Sequence, residues 1–363
     1  MTAQLGFGFL RLPMKDGQPD YGAVCGLVDA YLARGGRFFD TAHTYLNGKS
    51  EEAIRECLVK RYPRDAFQLC SKLPGYNVRS YEESAALAEE SFRRCGVEYF
   101  DVFMLHWLNA ENYAIAGQHR QFDLLKKLKA EGRARKIGFS FHDAPEVLDR
   151  ILTEHPEVDC VLLQINYLDW DSPAIQSRRC WEAARRHGKE ILVMEPAKGG
   201  TLAEVPEPVR ALLDEIDPGL SPAAHAIRFA RSLPGVITVL SGMNSLSQIE
   251  ENMEILAPVT DEDRELLRRA AAILSDTSAV ACTGCGYCLK HCPQAIPIPD
   301  CFRLYNAYCR NPEDDWKITP VYNALVSRAA GASDCIGCGQ CAHNCPQKLP
   351  IPELLKKVSE VMK

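Results

Sequence analysis

The sequence has no apolar run long enough to cross a bilayer, so no membrane-spanning helix is expected. It has no tract of basic residues. With 42 Lys and Arg against 48 Asp and Glu, the formal net charge is −6, which argues against a general nucleic-acid binder. The opening residues from Met1 to Gly6 carry no basic region and no signal-type apolar core. A cytoplasmic protein is the expectation. No Gly-x-Gly-x-x-Gly opens a helix after a strand: Gly6 and Gly8 make only a Gly-x-Gly. What remains is ordinary for a globular chain, with 46% hydrophobic and 25% charged residues. A length of 363 residues accommodates one large domain and a small one.

Cysteine is what the chain has in excess, with 16 in all. Eight are scattered, mostly in apolar segments: Cys25, Cys57, Cys70, Cys95, Cys160, Cys180, Cys301 and Cys309. Without a secretory signal they read as small buried hydrophobes, not as a disulfide scaffold. The other eight form two runs of one pattern, C-x2-C-x2-C-x3-C-P. The first is Cys282, Cys285, Cys288, Cys292 and Pro293; the second is Cys335, Cys338, Cys341, Cys345 and Pro346. Each continues into Gln and then an Ile-Pro pair, so the segment is internally duplicated. The spacer 300–334, rich in Tyr and Arg, is long enough to hold helices of its own.

Thiolates at this spacing wrap three corners of an iron–sulfur cube and leave the fourth to a distant cysteine. Gly284, Gly286, Gly337 and Gly339 let the backbone approach the sulfurs closely. Structural zinc is the rival reading, but zinc takes four ligands as two paired knuckles. The third cysteine position and the proline in each run favour two [4Fe–4S] clusters. The pattern resembles the bacterial two-cluster ferredoxins. The resemblance implies crossed ligation: Cys282, Cys285, Cys288 and Cys345 for one cluster, and Cys335, Cys338, Cys341 and Cys292 for the other. Two clusters favour electron transfer, because one would suffice as a structural staple.

Before these runs, short strand-like segments alternate with amphipathic helical ones. Strands are predicted at 5–10, 37–40, 67–71, 100–106, 136–140, 160–166, 191–195 and 236–241. Helices are predicted at 21–34, 51–60, 81–95, 118–130, 144–153, 173–187, 222–232 and 247–256, with further ones at 261–274 and 353–361. Eight strand–helix units over this length predict an α/β fold, a (β/α)8 TIM barrel, with an open doubly wound sheet as runner-up. The polar break 275–278 separates two expected domains, a barrel at 1–275 and a small α+β iron–sulfur domain at 276–363.

In such a barrel the chemistry gathers at the strand exits. Here these are Asp40, Lys72, His106, Ser140, Gln164, Glu195 and Ser241, with Tyr45 shortly after Asp40. Tyr45 can protonate a carbonyl oxygen, and Lys72 is expected to lower its pKa. Asp40 would hold the lysine, and His106 would orient the carbonyl.

Asp40, Tyr45, Lys72 and His106 together resemble the catalytic tetrad of the aldo-keto reductase superfamily. The surrounding motifs are similar too: Gly36 to Tyr45, Gly48 to Glu51, Leu105-His106-Trp107, Gln164 to Tyr167, Met194 to Pro196, and Leu240 to Met243 with Ile249 to Asn252. The likeness covers residues 5 to about 256. It implies an oxidoreductase that reduces a small carbonyl substrate with NAD(P)H. It also implies that Ser140 and Gln164 meet the carboxamide, that the surroundings of Tyr167 line the ring, and that Ser241, Gly242, Glu251 and Asn252 lie at the adenine–ribose end. Lys198, Gly199 and Gly200, with Ser241 and Gly242, would form a phosphate site for NAD(P)H or for FMN.

The departures from the family pattern are specific. The stretch Ser241 to Gln248 has no cation to meet a 2′-phosphate. Phe141 stands where the family often has Asn. The chain begins almost at its first strand, so the usual N-terminal hairpin is not expected. Nicotinamide moves electron pairs and a cluster moves single electrons. Three readings follow: a carbonyl reductase whose clusters serve a redox protein partner or the structure, a cluster-fed flavin reductase, and a non-catalytic electron carrier.

Overall fold

In a computed structural model of the chain, residues 4–254, 257–277, 279–310 and 315–362 are described. Eight parallel strands close into a barrel. They are β1 (Gln4–Gly8), β2 (Phe38–Asp40), β3 (Gln68–Leu73), β4 (Phe100–Leu108), β5 (Ala134–Phe141), β6 (Cys160–Gln164), β7 (Glu190–Met194) and β8 (Val236–Ser241). Each pairs with the next in sequence, and β1 closes on β8 through Gly6 opposite Leu240. This confirms the predicted barrel over the open sheet. The barrel interior is filled by Phe38, Cys70, Val102, Met104, Cys160, Leu162, Leu192 and Leu240. Cys70 and Cys160 are therefore packing groups, as expected of buried thiols. Small residues make room for the large ones: a Cβ on Gly138 would lie 2.3 Å from the Cys160 carbonyl oxygen.

The helices start and stop where local chemistry dictates. Helix Tyr81–Cys95 is capped by Ser80, whose side chain accepts from the Glu83 amide, and it ends at Gly96 with φ 70°. The predicted helix 118–130 is seen as Gln121–Ala130, entered through Arg120 with φ 53°, and a separate helix Ala110–Gln118 before it was not predicted. Helix Glu207–Ile216 escaped the sequence reading, although Pro206 and Glu207 mark its start. The predicted helix 247–256 is seen as Leu246–Asn252. Its residues 255 and 256 lie outside the described residues, as do Ser278 of the predicted boundary and 311–314 of the spacer.

The chain divides into two compact units. One comprises residues up to Pro196 with Ala226–Val259 and contains all eight strands; the other comprises Ala197–His225 with Thr260–Lys363. That division does not coincide with the sequence break at 275. The segment after β7 and the helix Asp261–Thr277 pack with the cysteine runs, because helices Glu207–Ile216 and Asp261–Thr277 bury apolar faces against one another. In this second unit the two Ile-Pro pairs open equivalent helices, Ile298–Arg310 and Ile351–Val361. Ile298, Phe302, Ile351, Leu355 and Val358 form the centre of its core. The spacer holds the end of the first of these helices and another, Asp315–Val326.

Candidate functional site

The Asp40–Lys72 pair is built by adjacent parallel strands, β2 and β3, which bring both residues to the barrel exit. Lys72 is fully buried, and its Nζ donates to Asp40 Oδ1 and Oδ2, both at 2.7 Å, and to the Thr41 carbonyl at 2.8 Å. The same nitrogen lies 3.4 Å from the Tyr45 hydroxyl and 4.8 Å from its ring centre. His106, at the end of β4, meets the Tyr45 ring edge-on at 5.7 Å. The four residues are brought together at the barrel exit.

Tyr45 stands on a loop folded by three successive left-handed residues, Leu46, Asn47 and Gly48, with φ of 51°, 57° and 90°. Glycine suits the third position, because a φ of 90° strains any L side chain. The loop is braced from behind. Ser50 bonds Thr41 Oγ1 at 2.7 Å and donates to the Phe9 carbonyl at 2.9 Å. Buried Glu51 accepts from Ser71 at 2.8 Å and pairs with Arg94 at 3.6 Å. These partners fix the direction in which the Tyr45 phenol points.

The electrostatics correct one expectation. Burial raises the Tyr45 pKa well above that of an ordinary phenol, and the Asp40 carboxylate adds to the rise. The Lys72 ammonium, bidentate on Asp40 at 2.7 Å, does not offset that rise. Burial also raises Asp40, against the pull of Lys72. His106 is pushed well below the usual histidine range, first by burial and then by Lys72. Its ring is neutral at pH 7. The site thus holds a protonated phenol, a neutral imidazole and a lysine–carboxylate pair.

Two aromatic walls were missed in the sequence. Tyr76 packs edge-on against Trp107 at 5.3 Å and lies 6.3 Å from the His106 ring. Trp107 takes a left-handed φ of 59°, and its amide donates to Ser140 Oγ at 2.7 Å. The Leu105-His106-Trp107 motif was the only hint of this wall.

Ser140 and Gln164 stand on adjacent strands β5 and β6. Gln164 Nε2 donates to Asp169 at 2.7 Å, and Asn166 donates to the same carboxylate at 2.8 Å. Asp169 and Asn166 are positioning partners the sequence reading did not single out. Tyr167 is buried against Phe229, and its hydroxyl meets no hydrogen-bond partner among the described residues. Such an orphaned polar atom fits a bound polar group. At the exit of β8, Asn252 Nδ2 lies 3.5 Å from Ser241 Oγ, and Glu251 is half-buried next to it. Arg11, three residues beyond β1, packs so that a Cβ on Gly242 would lie 3.3 Å from it, and it pairs with Glu195 at 3.6 Å.

Lys198 and Gly199 fall in the other compact unit. Lys198 is buried and donates to Gln347 Oε1 at 3.4 Å; Gly199 abuts the backbone of Thr283. Both partners flank cysteines of the two runs.

The cysteines meet in crossed sets. One cavity is lined by Cys282, Cys285, Cys288 and Cys345. A second is lined by Cys292, Cys335, Cys338 and Cys341. Each joins three thiols of one run to the fourth of the other. The Gly284 amide points at Cys282 Sγ at 3.4 Å, which is the backbone-to-sulfur contact expected of the glycines. Burial and the neighbouring Cys285, Cys282 and Cys345 push the Cys288 thiol up, so ionising it needs a bound cation. Among the described residues no group of three or more His, Cys, Asp or Glu converges as a single-ion site. The donor chemistry and the four-thiol cavities fit a cluster. No disulfide joins any of the 16 cysteines.

A parallel barrel with this exit chemistry defines an oxidoreductase. The aldo/keto reductase family profile matches residues 4–272, and the chain belongs to that family. A 4Fe-4S dicluster domain profile matches residues 281–349. A 9,11-endoperoxide prostaglandin H2 reductase of Trypanosoma cruzi is 28% identical over 255 residues, covering 69% of this chain and 81% of its own. The NADH-specific methylglyoxal reductase of Escherichia coli is 25% identical over 285 residues, covering 65% and 83%. Among solved structures, an aldo-keto reductase of Bacillus halodurans in its holo form superposes with a TM-score of 0.61 at 20% identity, over 74% of this chain and 92% of its own. One from Klebsiella pneumoniae with NADP and acetate gives 0.59 at 19% identity, over 73% and 90%. Among the described residues no helix is long and apolar enough to cross a membrane.

Proposed function

We propose that the barrel reduces a small carbonyl compound and that the C-terminal segment 276–363 carries two [4Fe–4S] clusters that pass electrons to or from a redox protein. The observation that carries the first part is the Lys72 ammonium, bidentate on Asp40 and 3.4 Å from the Tyr45 hydroxyl. A nicotinamide dinucleotide, when bound, supplies a hydride to the carbonyl carbon. Ser140, Gln164 and Tyr167 would hold its carboxamide end, and Ser241, Gly242, Glu251, Asn252 and Arg11 its far end. Neutral His106 hydrogen-bonds the carbonyl oxygen. As negative charge grows on that oxygen, Tyr45 gives it the hydroxyl proton, and Lys72 stabilises the phenolate left behind. The raised Tyr45 pKa keeps the hydroxyl protonated and available to donate as the alkoxide forms. Tyr76 and Trp107 would bound the substrate with apolar faces.

Between Ser241 and Gln248 there is no Lys or Arg, which favours NADH over NADPH. The NADH-specific relative from Escherichia coli accords with this. The crossed four-thiol cavities support the second part. Sixteen unlinked cysteines suit a reducing compartment such as the cytoplasm.

The test is anaerobic purification, iron and sulfide analysis, and mass spectrometry of released cofactor. These would be paired with NADH- and NADPH-dependent aldehyde reduction. Eight iron atoms per chain and turnover without flavin are expected, about four for each cluster. Stoichiometric FMN with no nicotinamide turnover would replace the reading with a cluster-fed flavin reductase.

A further inference from the structure

Burying a lysine is costly, and giving it a left-handed backbone adds to the cost. Lys198 has both: it is 3% exposed, and its φ is 46°. The next residue, Gly199, has φ 64°, and a Cβ there would lie 2.3 Å from the Thr283 carbonyl oxygen. The segment after β7 is therefore pressed onto the first cysteine run where only glycine fits. The contact carries the Lys198 ammonium to Gln347 Oε1, at 3.4 Å. Thr283 and Gln347 both line the cavity of Cys282, Cys285, Cys288 and Cys345. Neither cavity has Lys or Arg among its own lining residues; the Lys198 ammonium reaches the first through Gln347, and at the second Cys338 and Ile336 are exposed.

We propose that Lys198 raises the reduction potential of the cluster held by Cys282, Cys285, Cys288 and Cys345. This rests on the reading that these thiols hold a [4Fe–4S] cluster. Such a cluster with four thiolates is anionic, and taking up one electron makes it more so. A buried cation beside it favours the reduced form, and a low-dielectric wall preserves that effect. Gln347 acts as the tether: its carbonyl oxygen accepts from Lys198, and it follows ligand Cys345 by two residues. Lys198 is thus a positioning and charge-setting residue, distinct from the thiols that hold the iron. The second cavity, whose Cys338 and Ile336 are exposed, serves as the internal reference.

The experiment is an anaerobic redox titration of the full chain by electron paramagnetic resonance, with iron and sulfide measured on each sample. Cys282→Ser assigns the signals. Lys198→Met is expected to make the assigned cluster about tenfold harder to reduce, a drop of about 59 mV for one electron, with the second cluster unmoved. Lys198→Arg should restore the native value. Equal potentials in Lys198→Met and the native protein, or an equal shift of both clusters, would overturn the proposal. If Lys198→Met loses iron, Lys198→Gln is compared with Lys198→Arg: a lower potential in Gln alone supports the proposal, and equal values overturn it. Native protein without iron would instead overturn the cluster reading itself, and the role of Lys198 with it.

Discussion

Lys72 Nζ stands 2.7 Å from both carboxylate oxygens of Asp40 and 3.4 Å from the Tyr45 hydroxyl. The ammonium thus has one partner that neutralises it in the resting protein and another that needs it only when a phenolate forms. That division of labour underlies the first prediction. Tyr45→Phe removes the proton donor and leaves the ring contacts with Lys72 and His106. Carbonyl reduction should fall by about 100- to 10,000-fold with iron content unchanged. Turnover with a small aldehyde beside an iron assay checks it, and unaltered turnover would remove Tyr45 from the role of acid.

His106 predicts how stability responds to pH. Its folded pKa lies well below the ordinary value of 6.5, chiefly through burial. Above that value neither folded nor unfolded chain protonates the ring, and nothing is lost. As pH falls below it, the unfolded chain takes up a proton that the folded one refuses. Stability then drops by about 1.4 kcal/mol per pH unit from this residue until the folded pKa is reached. His106→Gln should flatten that part of the profile. Urea denaturation of both proteins from pH 7.5 to 5, taken as an approximate working window around the imidazole pKa, provides the comparison. Parallel profiles would contradict a buried neutral ring.

The crossed cavities predict which substitutions act together. Cys345→Ala should abolish the same paramagnetic signal as Cys285→Ala, although 60 positions separate the two residues (345 less 285). Cys292→Ala should abolish the other signal, together with Cys338→Ala. Loss of one signal by Cys285→Ala and Cys292→Ala alike would mean that each run binds its own cluster.

Arg11 reaches Gly242 from the far side of the barrel closure, where β1 meets β8. Arg11→Ala should weaken binding of the dinucleotide about tenfold, close to the loss of one charge-assisted hydrogen bond, and raise its KM while kcat holds. Fluorescence titration with NADH and steady-state kinetics measure this. An unchanged dissociation constant would place the cofactor phosphates elsewhere.

Much of the barrel is legible in the sequence. The strand at 236–241 and the helix at 81–95 appear with the predicted bounds. Their signals are local: an apolar run between turns in one, and a Ser cap and a terminal Gly in the other. Local signals failed at Ala110–Gln118, a short helix that no prediction covered before its last residue. They failed again at Glu207–Ile216, where a short amphipathic pattern sits in a Pro-rich stretch.

By itself the sequence determined the chemistry available: four polar residues at strand exits and eight cysteines in two equal runs. Both depend on spacing along the chain, which needs no fold to be read. Only the tertiary structure decided which groups share an environment. Burial, not Lys72, sets the Tyr45 phenol. Tyr76 and Trp107 pack edge-on beside His106, and Arg11 is brought against Gly242. Lys198, read in the sequence as a phosphate ligand, is placed where its ammonium donates to Gln347. These outcomes turn on charge, exclusion of water and close approach between segments distant in sequence, and a one-dimensional pattern carries none of those distances.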